Sequence, residues 1–88
     1  MSNDPGIESL RTKLDEFYEW PALYPFKFIV PKESVNEVLE LFADDPVQER
    51  ESRNGRFISL TMEMHVHSSD EIIAIYQRVA QVPNVISL

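Results

Sequence analysis

The segment 57–66 constrains the fold of this chain more than any other, because every second residue from 58 to 66 is apolar and those between are polar. This period of two is typical of a β-strand with one buried and one open face. Asn54-Gly55 just before it is a strong hairpin signal, and the charged stretch 47–52 suits a strand at a sheet edge. The side chains predicted to face the core are Ile58, Leu60, Met62, Met64 and Val66. The pattern therefore predicts a hairpin whose other face meets water or a partner.

Helices are predicted on both sides of this hairpin. Ser34 with Glu37, and Ser68 with Glu71, match capping boxes, in which two side chains satisfy free N–H groups of the first helical turn. After each box apolar residues recur every three or four positions: Val35, Val38, Leu39 and Phe42, then Ile72, Ile73, Tyr76, Val79 and Ala80. We expect the first helix to reach about residue 43 and the second to end before Pro83.

Short apolar segments at 26–30 and 85–88 are predicted to be the remaining strands. The order becomes strand, helix, strand, strand, helix, strand. Two strand-helix-strand units joined by a hairpin form a four-stranded antiparallel sheet with both helices on one face. The predicted fold class is therefore α+β, a ferredoxin-like βαββαβ sandwich.

An additional helix is predicted at 7–20, because Ile7, Leu10, Leu14 and Phe17 recur at helical spacing. Asp4 is a candidate N-cap with Pro5 in the first helical position, and Pro21 ends the helix. Residues 1–6 are expected to be disordered. The apolar, proline-rich stretch 20–25 is expected to be a connection whose aromatic side chains pack into the core. Residues 1–88 thus form a single domain, with 24–88 as its sheet and helix core.

The charge balance excludes several classes of partner. Fifteen acidic residues against eight basic ones give a formal net charge of −7, which repels nucleic acid and anionic membrane surfaces. The chain has no cysteine, so a disulfide framework and a cysteine nucleophile are excluded, and a reducing compartment is compatible. Neither a signal peptide pattern nor an apolar run of about 18 residues is present. We expect a cytoplasmic protein that binds neither nucleic acid nor membrane.

The chain resembles the YbeD-like family of small bacterial proteins, which have an ACT-like fold. The residues that carry this resemblance are 14–21, Tyr24-Pro25-Phe26-Lys27-Phe28, Ser52, Gly55, Phe57, Ser59, Thr61, Ile75-Tyr76, Pro83, Val85 and Leu88. The resemblance implies an ACT-like core over 24–88 and a regulatory or binding role, and it brings no catalytic motif. ACT domains often bind amino acids at a dimer interface, near the loop between the first strand and the first core helix. That loop here is Pro31-Lys32-Glu33, without the glycine common at that place.

Two clusters of side chains are candidate sites. Arg50, Arg53 and Arg56 lie close together at the hairpin, where guanidinium groups bind carboxylates or phosphates, although Glu49 and Glu51 offer local charge balance instead. Together with Lys32 in the first loop, Arg53 and Arg56 are the candidate ligand-binding residues.

Glu63, His65 and His67 alternate along the hairpin strand and are competent zinc ligands, although polar residues are also the ordinary content of an exposed sheet face. No fourth ligand is evident, so no cofactor is predicted. Ser59 and Thr61 have no histidine placed as a base beside them. We therefore expect no enzymatic activity, with metal-dependent catalysis through the first three residues as a minor alternative.

The open sheet face is the main candidate interaction surface. Its predicted members are Lys27, Ile29, Phe57, Ser59 and Thr61. RNA-binding sheets of this type need several stacking aromatics, whereas Phe57 is the single aromatic here. The leading hypothesis is a non-enzymatic regulatory or protein-interaction module that uses this face or a strand edge to form a homodimer and bind a partner protein. The alternative is a sensor that binds an amino acid or small anion at a dimer interface.

Overall fold

The computed structural model describes residues 5–88 and contains the predicted order of elements. The elements are α1 (Pro5–Phe17), β1 (Ala22–Pro31), a 3-10 turn (Lys32–Ser34), α2 (Val35–Leu41), β2 (Gln48–Glu51), β3 (Phe57–Val66), α3 (Ser69–Val79) and β4 (Ile86–Ser87). No helix within residues 5–88 is long and apolar enough to cross a membrane.

The four strands form one sheet in the order β2-β3-β1-β4, and every neighbouring pair is antiparallel. The long strands β1 and β3 occupy the centre and pair from Ala22 opposite Val66 to Pro31 opposite Phe57. The two short strands form the edges. This topology confirms the predicted α+β ferredoxin-like and ACT-like sandwich.

The core lies between the sheet and the helices. β1 contributes Phe26, Phe28 and Val30, and β3 contributes Leu60, Met62 and Val66, all buried. The helices cover these residues with the buried side chains Leu14, Val35, Val38, Ile72 and Val79. The predicted inner face of the hairpin strand is therefore confirmed. We call the opposite face of the sheet the outer face.

Tyr76 of α3 joins the aromatic part of the core. Its ring centroid lies 5.4 Å from that of Phe26, and its hydroxyl lies 2.9 Å from the hydroxyl of Tyr24. Burial raises the pKa of Tyr76 above its ordinary value of 10.0, and the hydrogen bond to Tyr24 raises it further. Tyr18 and Trp20 also pack against the core, as expected for this apolar stretch.

β1 begins at Ala22, whereas the sequence predicted a connection up to residue 25. The reason is the direction of the backbone groups. Lys32 N–H donates to the Arg56 carbonyl, so even-numbered residues of β1 bond to β3, while Leu88 N–H donates to Lys27, so odd-numbered residues bond on the β4 side. Proline has no N–H to donate, but the nitrogen of Pro25 is on the side of β4, and β4 does not extend as far as Pro25. No strand hydrogen bond is lost there, so β1 continues through Pro25.

The helix boundaries differ from the predictions in three places. α1 runs from Pro5 to Phe17 rather than from 7 to 20, and Phe17 is 85% exposed instead of belonging to the buried stripe. The predicted N-cap Asp4 and most of the expected disordered segment 1–6 lie outside the described residues. Ser34 does not cap α2, because the preceding 3-10 turn holds its backbone at φ −105°, ψ 0° rather than extended. α2 ends at Leu41, two residues earlier than predicted.

Candidate functional site

The structure places the five predicted members of the interaction surface together on the outer face. Lys27 lies opposite Thr61, Ile29 lies opposite Ser59, and Phe57 lies opposite Pro31 at the end of the same strand pair. The core side chains of the three helices pack toward the other face of the sheet. Within residues 5–88, no helix or strand covers this surface.

An apolar patch occupies one end of the outer face. Ile86 of β4 lies directly opposite Ile29 of β1, and Phe57 is the nearest large apolar side chain on β3. Ile86 is 54% exposed and Phe57 is 39% exposed. We call Ile29, Phe57 and Ile86 the apolar patch. Ile86 was not predicted as a member, because its place depends on the pairing of a two-residue strand that local sequence does not define.

The charged residues of β2 alternate between the two faces of the sheet. Arg50 lies opposite Ser59 and therefore projects from the outer face, whereas Glu49 and Glu51 lie opposite Leu60 and Ile58 and project from the other. Among residues 5–88, Arg50 forms no ion pair with Glu49 or Glu51, the two glutamates expected to balance its charge. Glu51 instead lies 3.8 Å from the ammonium nitrogen of Lys32.

Three basic side chains on this side form no ion pair with any residue that the structure describes. They are Lys27, Arg50 and Arg53, which we call the basic cluster. They line an open depression of about 490 Å³ together with Ile29, Glu51, Ser52, Phe57 and Ser59. Cations and apolar side chains thus border the same depression.

A second depression, which we call the end groove, lies beyond the ends of the central strands. It has a volume of about 770 Å³ and is lined by residues 31–33, 55–57 and 84–86. The backbone hydrogen bond from Lys32 to Arg56, 3.0 Å long, holds its two sides together. Of the three predicted ligand-binding residues, Lys32 and Arg56 line this groove, whereas Arg53 lines the depression on the outer face.

The hairpin loop gives both depressions a fixed border. Asn54 Oδ1 accepts hydrogen bonds from Ser52 Oγ and from the Arg56 N–H, each 3.1 Å long. Gly55 has a φ of +71°, a conformation that residues with side chains rarely adopt. An added Cβ at this position would lie 2.8 Å from Glu51 Oε1. The Asn-Gly signal therefore marks a longer, internally hydrogen-bonded loop.

The structure does not assemble the three candidate zinc ligands. Glu63 and His65 lie on β3, but the strand ends at Val66, so His67 leaves its line. Glu71 accepts a hydrogen bond from the His67 backbone N–H, and its carboxylate lies 3.5 Å from His67 Nδ1. Within residues 5–88, no group of three acidic, histidine or cysteine side chains is placed to hold a metal ion.

Comparison with known proteins gives a family without an assigned activity. No curated protein matches the chain, and no solved structure matches it. The model of the family described as protein of unknown function (DUF493) matches residues 15–88, which include the whole sheet, α2 and α3. DUF493 is the YbeD family, so the resemblance seen in the sequence is confirmed. The chain belongs to the DUF493 family of proteins of unknown function.

Proposed function

We propose that this protein is a non-enzymatic, regulatory interaction module that binds a partner protein through the outer face of its sheet. The observation that supports the proposal is the uncovered face on which the basic cluster borders the apolar patch. The absence of cysteine is compatible with a cytoplasmic setting for this interaction.

The residue types on this face are those that contribute most at protein interfaces. Aromatic residues and arginine are enriched there relative to other surfaces, because each buries a large area and arginine also forms several hydrogen bonds. Phe57 and Arg50 supply both types on neighbouring strands. Isolated exposed apolar side chains are common, but Phe57 and Ile86 lie beside Ile29 in one contiguous patch.

A hydrolytic role for this face has little support from its geometry. Ser59 and Thr61 are the hydroxyl side chains of the strand, and the histidine on the same face is His65. Thr61 and His65 are four positions apart, which corresponds to about 13 Å along a strand. That separation is too long for the direct hydrogen bond that activates a hydroxyl nucleophile.

Photo-crosslinking in cells tests the proposal. A photoreactive amino acid at Ser59 on the outer face should capture a protein partner, whereas the same group at the exposed residue Asn36 of α2 should not. Phe57→Ser in the Ser59-labelled protein should remove the captured species. Capture from Asn36 alone, or no capture from either position, would refute the outer face as the binding surface.

A second candidate function is a sensor for an amino acid or a small anion. The end groove favours it, because Lys32 and Arg56 line an open volume beside the loop after β1, where ACT domains often bind ligands. This function predicts a saturable rise in melting temperature with one amino acid or anion, together with dimer formation. Arg56→Ser should reduce that rise, and an unchanged melting temperature across all amino acids would eliminate the sensor.

A further inference from the structure

We propose that the outer face binds an acidic segment that also carries apolar side chains, supplied by the partner protein. This inference rests on the proposed function and specifies the chemistry of the partner. The depression on the outer face is the site: the basic cluster lines it together with Ile29 and Phe57 of the apolar patch.

The first argument is the distribution of charge. The chain has a net charge of −7, but five of its eight basic residues lie around the hairpin and the adjoining end of β1: Lys27, Lys32, Arg50, Arg53 and Arg56. Among residues 5–88, three cations (Lys27, Arg50 and Arg53) line the outer depression against one carboxylate, that of Glu51, which also lies 3.8 Å from Lys32 Nζ. The local charge is therefore opposite in sign to that of the whole protein. Such a patch attracts an acidic partner and orients it.

The second argument is the spacing of the two cations. Arg50 lies opposite Ser59 on β3, and Lys27 lies opposite Thr61, so two short hydroxyl side chains separate them. Neighbouring strands are about 4.8 Å apart and β3 lies between β2 and β1, so the backbones of Arg50 and Lys27 are about 10 to 12 Å from each other. Both long side chains can reach a carboxylate above Ser59 from opposite sides. The planar guanidinium of Arg50 matches the two oxygens of that carboxylate.

The third argument is the apolar patch beside these cations. Phe57 lines both the outer depression and the end groove, and Ile29 on the neighbouring strand β1 lies directly opposite Ile86. A segment held by its carboxylates at Arg50 and Lys27 therefore has an apolar surface within reach of its next side chains. Burial there contributes about 25 cal/mol for each Å² of apolar area removed from water.

Other occupants fit these observations less well. RNA needs several aromatic side chains for stacking, and among residues 5–88 the outer face has Phe57 alone. A second copy of the chain, packed face to face about a two-fold axis through the basic cluster, would bring cations against cations. A carboxylate-bearing protein segment needs no stacking aromatics, and it brings negative charge rather than cations to the basic cluster.

Fluorescence anisotropy with labelled probe peptides tests the inference. The probe is a short peptide in which glutamate alternates with leucine, and its control has glutamine in place of glutamate. We expect the glutamate peptide to bind, the glutamine peptide to bind at least about tenfold more weakly, and the affinity to fall as salt rises from about 50 to about 300 mM.

Matched charge variants locate the binding site. The double variant Lys27→Ser, Arg50→Ser should weaken binding of the glutamate peptide by at least about tenfold. The double variant Lys13→Ser, Arg78→Ser removes the same charge from exposed helix positions and should change it by less than about twofold. Equal losses in the two double variants would show nonspecific attraction and overturn the proposal.

Three further results would overturn it: equal binding of the two peptides, binding of neither peptide, and tighter binding of an oligouridylate than of the glutamate peptide. Capture of a protein at Ser59 together with any of these results would reject the acidic class of partner and retain the interaction face. Loss of capture at Ser59 would reject the interaction face itself.

Discussion

Leu60→Ala and Ser59→Ala change adjacent residues of β3 that project from opposite faces of the sheet. Leu60 is fully buried and lies opposite Phe28, whereas Ser59 lies on the outer face. Truncating a buried leucine to alanine costs about 2 to 5 kcal/mol, because apolar contacts are lost and a cavity remains. A chain of 88 residues has a total stability of roughly 4 to 13 kcal/mol, at about 0.05 to 0.15 kcal/mol per residue. Leu60→Ala therefore removes a large fraction of the stability.

Ser59→Ala should change the free energy of unfolding by less than about 0.5 kcal/mol, because Ser59 is only half-buried and donates a long hydrogen bond, 3.5 Å, to the Arg50 carbonyl. Urea unfolding followed by circular dichroism measures both variants. With a slope of about 1 kcal/mol per M, a loss of 3 kcal/mol shifts the midpoint by about 3 M. Equal midpoints for the two variants, or a greater loss for Ser59→Ala, would refute the assignment of the two faces.

Three local features are tested by substitution, each through its effect on the free energy of unfolding. Ser68→Ala should cost about 1 kcal/mol, because Ser68 Oγ accepts a hydrogen bond from the Glu71 N–H at the start of α3. Ser34→Ala should cost less than about 0.5 kcal/mol, because the Ser34 side chain forms no such bond at the start of α2; equal costs would contradict this assignment of the caps. Gly55→Ala should cost about 1 to 2 kcal/mol in thermal unfolding, because alanine is strained at a φ of +71°, whereas the flexible Glu51 side chain can move away from the added Cβ; no loss would contradict this loop conformation. The contribution of Tyr76 to stability should be fully present below pH 10 and lost above it, because the folded protein holds the Tyr76 proton more tightly than the unfolded chain. Tyr76→Phe should cost about 1 kcal/mol at pH 7 and flatten the alkaline fall, and equal alkaline slopes would contradict the half-buried, hydrogen-bonded phenol.

The parts of the fold that follow from local periodicity could be predicted from the sequence. The alternation along 58–66 identified both faces of β3, and the spacing of apolar residues identified the core stripes of α2 and α3. These signals are strong because a long run of residues repeats the same pattern. The members of the outer face on β1 and β3 followed from the same alternation.

The remaining features depend on pairing between strands, which a local pattern does not determine. The sequence predicts that Pro25 ends a connection, but Pro25 lies within β1, because its nitrogen is on the side of β4 and this short strand does not reach it. The sequence places Glu51 beside the hairpin arginines, and it does line the outer depression with Arg50 and Arg53, but its ion pair is with Lys32. Ile86 joined the outer face only through its pairing with Ile29.

Amide-correlation NMR of the labelled protein, titrated with the glutamate-leucine peptide, tests the central claim most directly. The account predicts saturable shifts confined to the outer face, at Lys27, Ile29, Arg50 and Ser59, with the amides of α2 and α3 unchanged. Saturable shifts centred on those helices or restricted to the end groove, or no shifts at any peptide concentration, would contradict the claim that the uncovered sheet face binds an acidic partner.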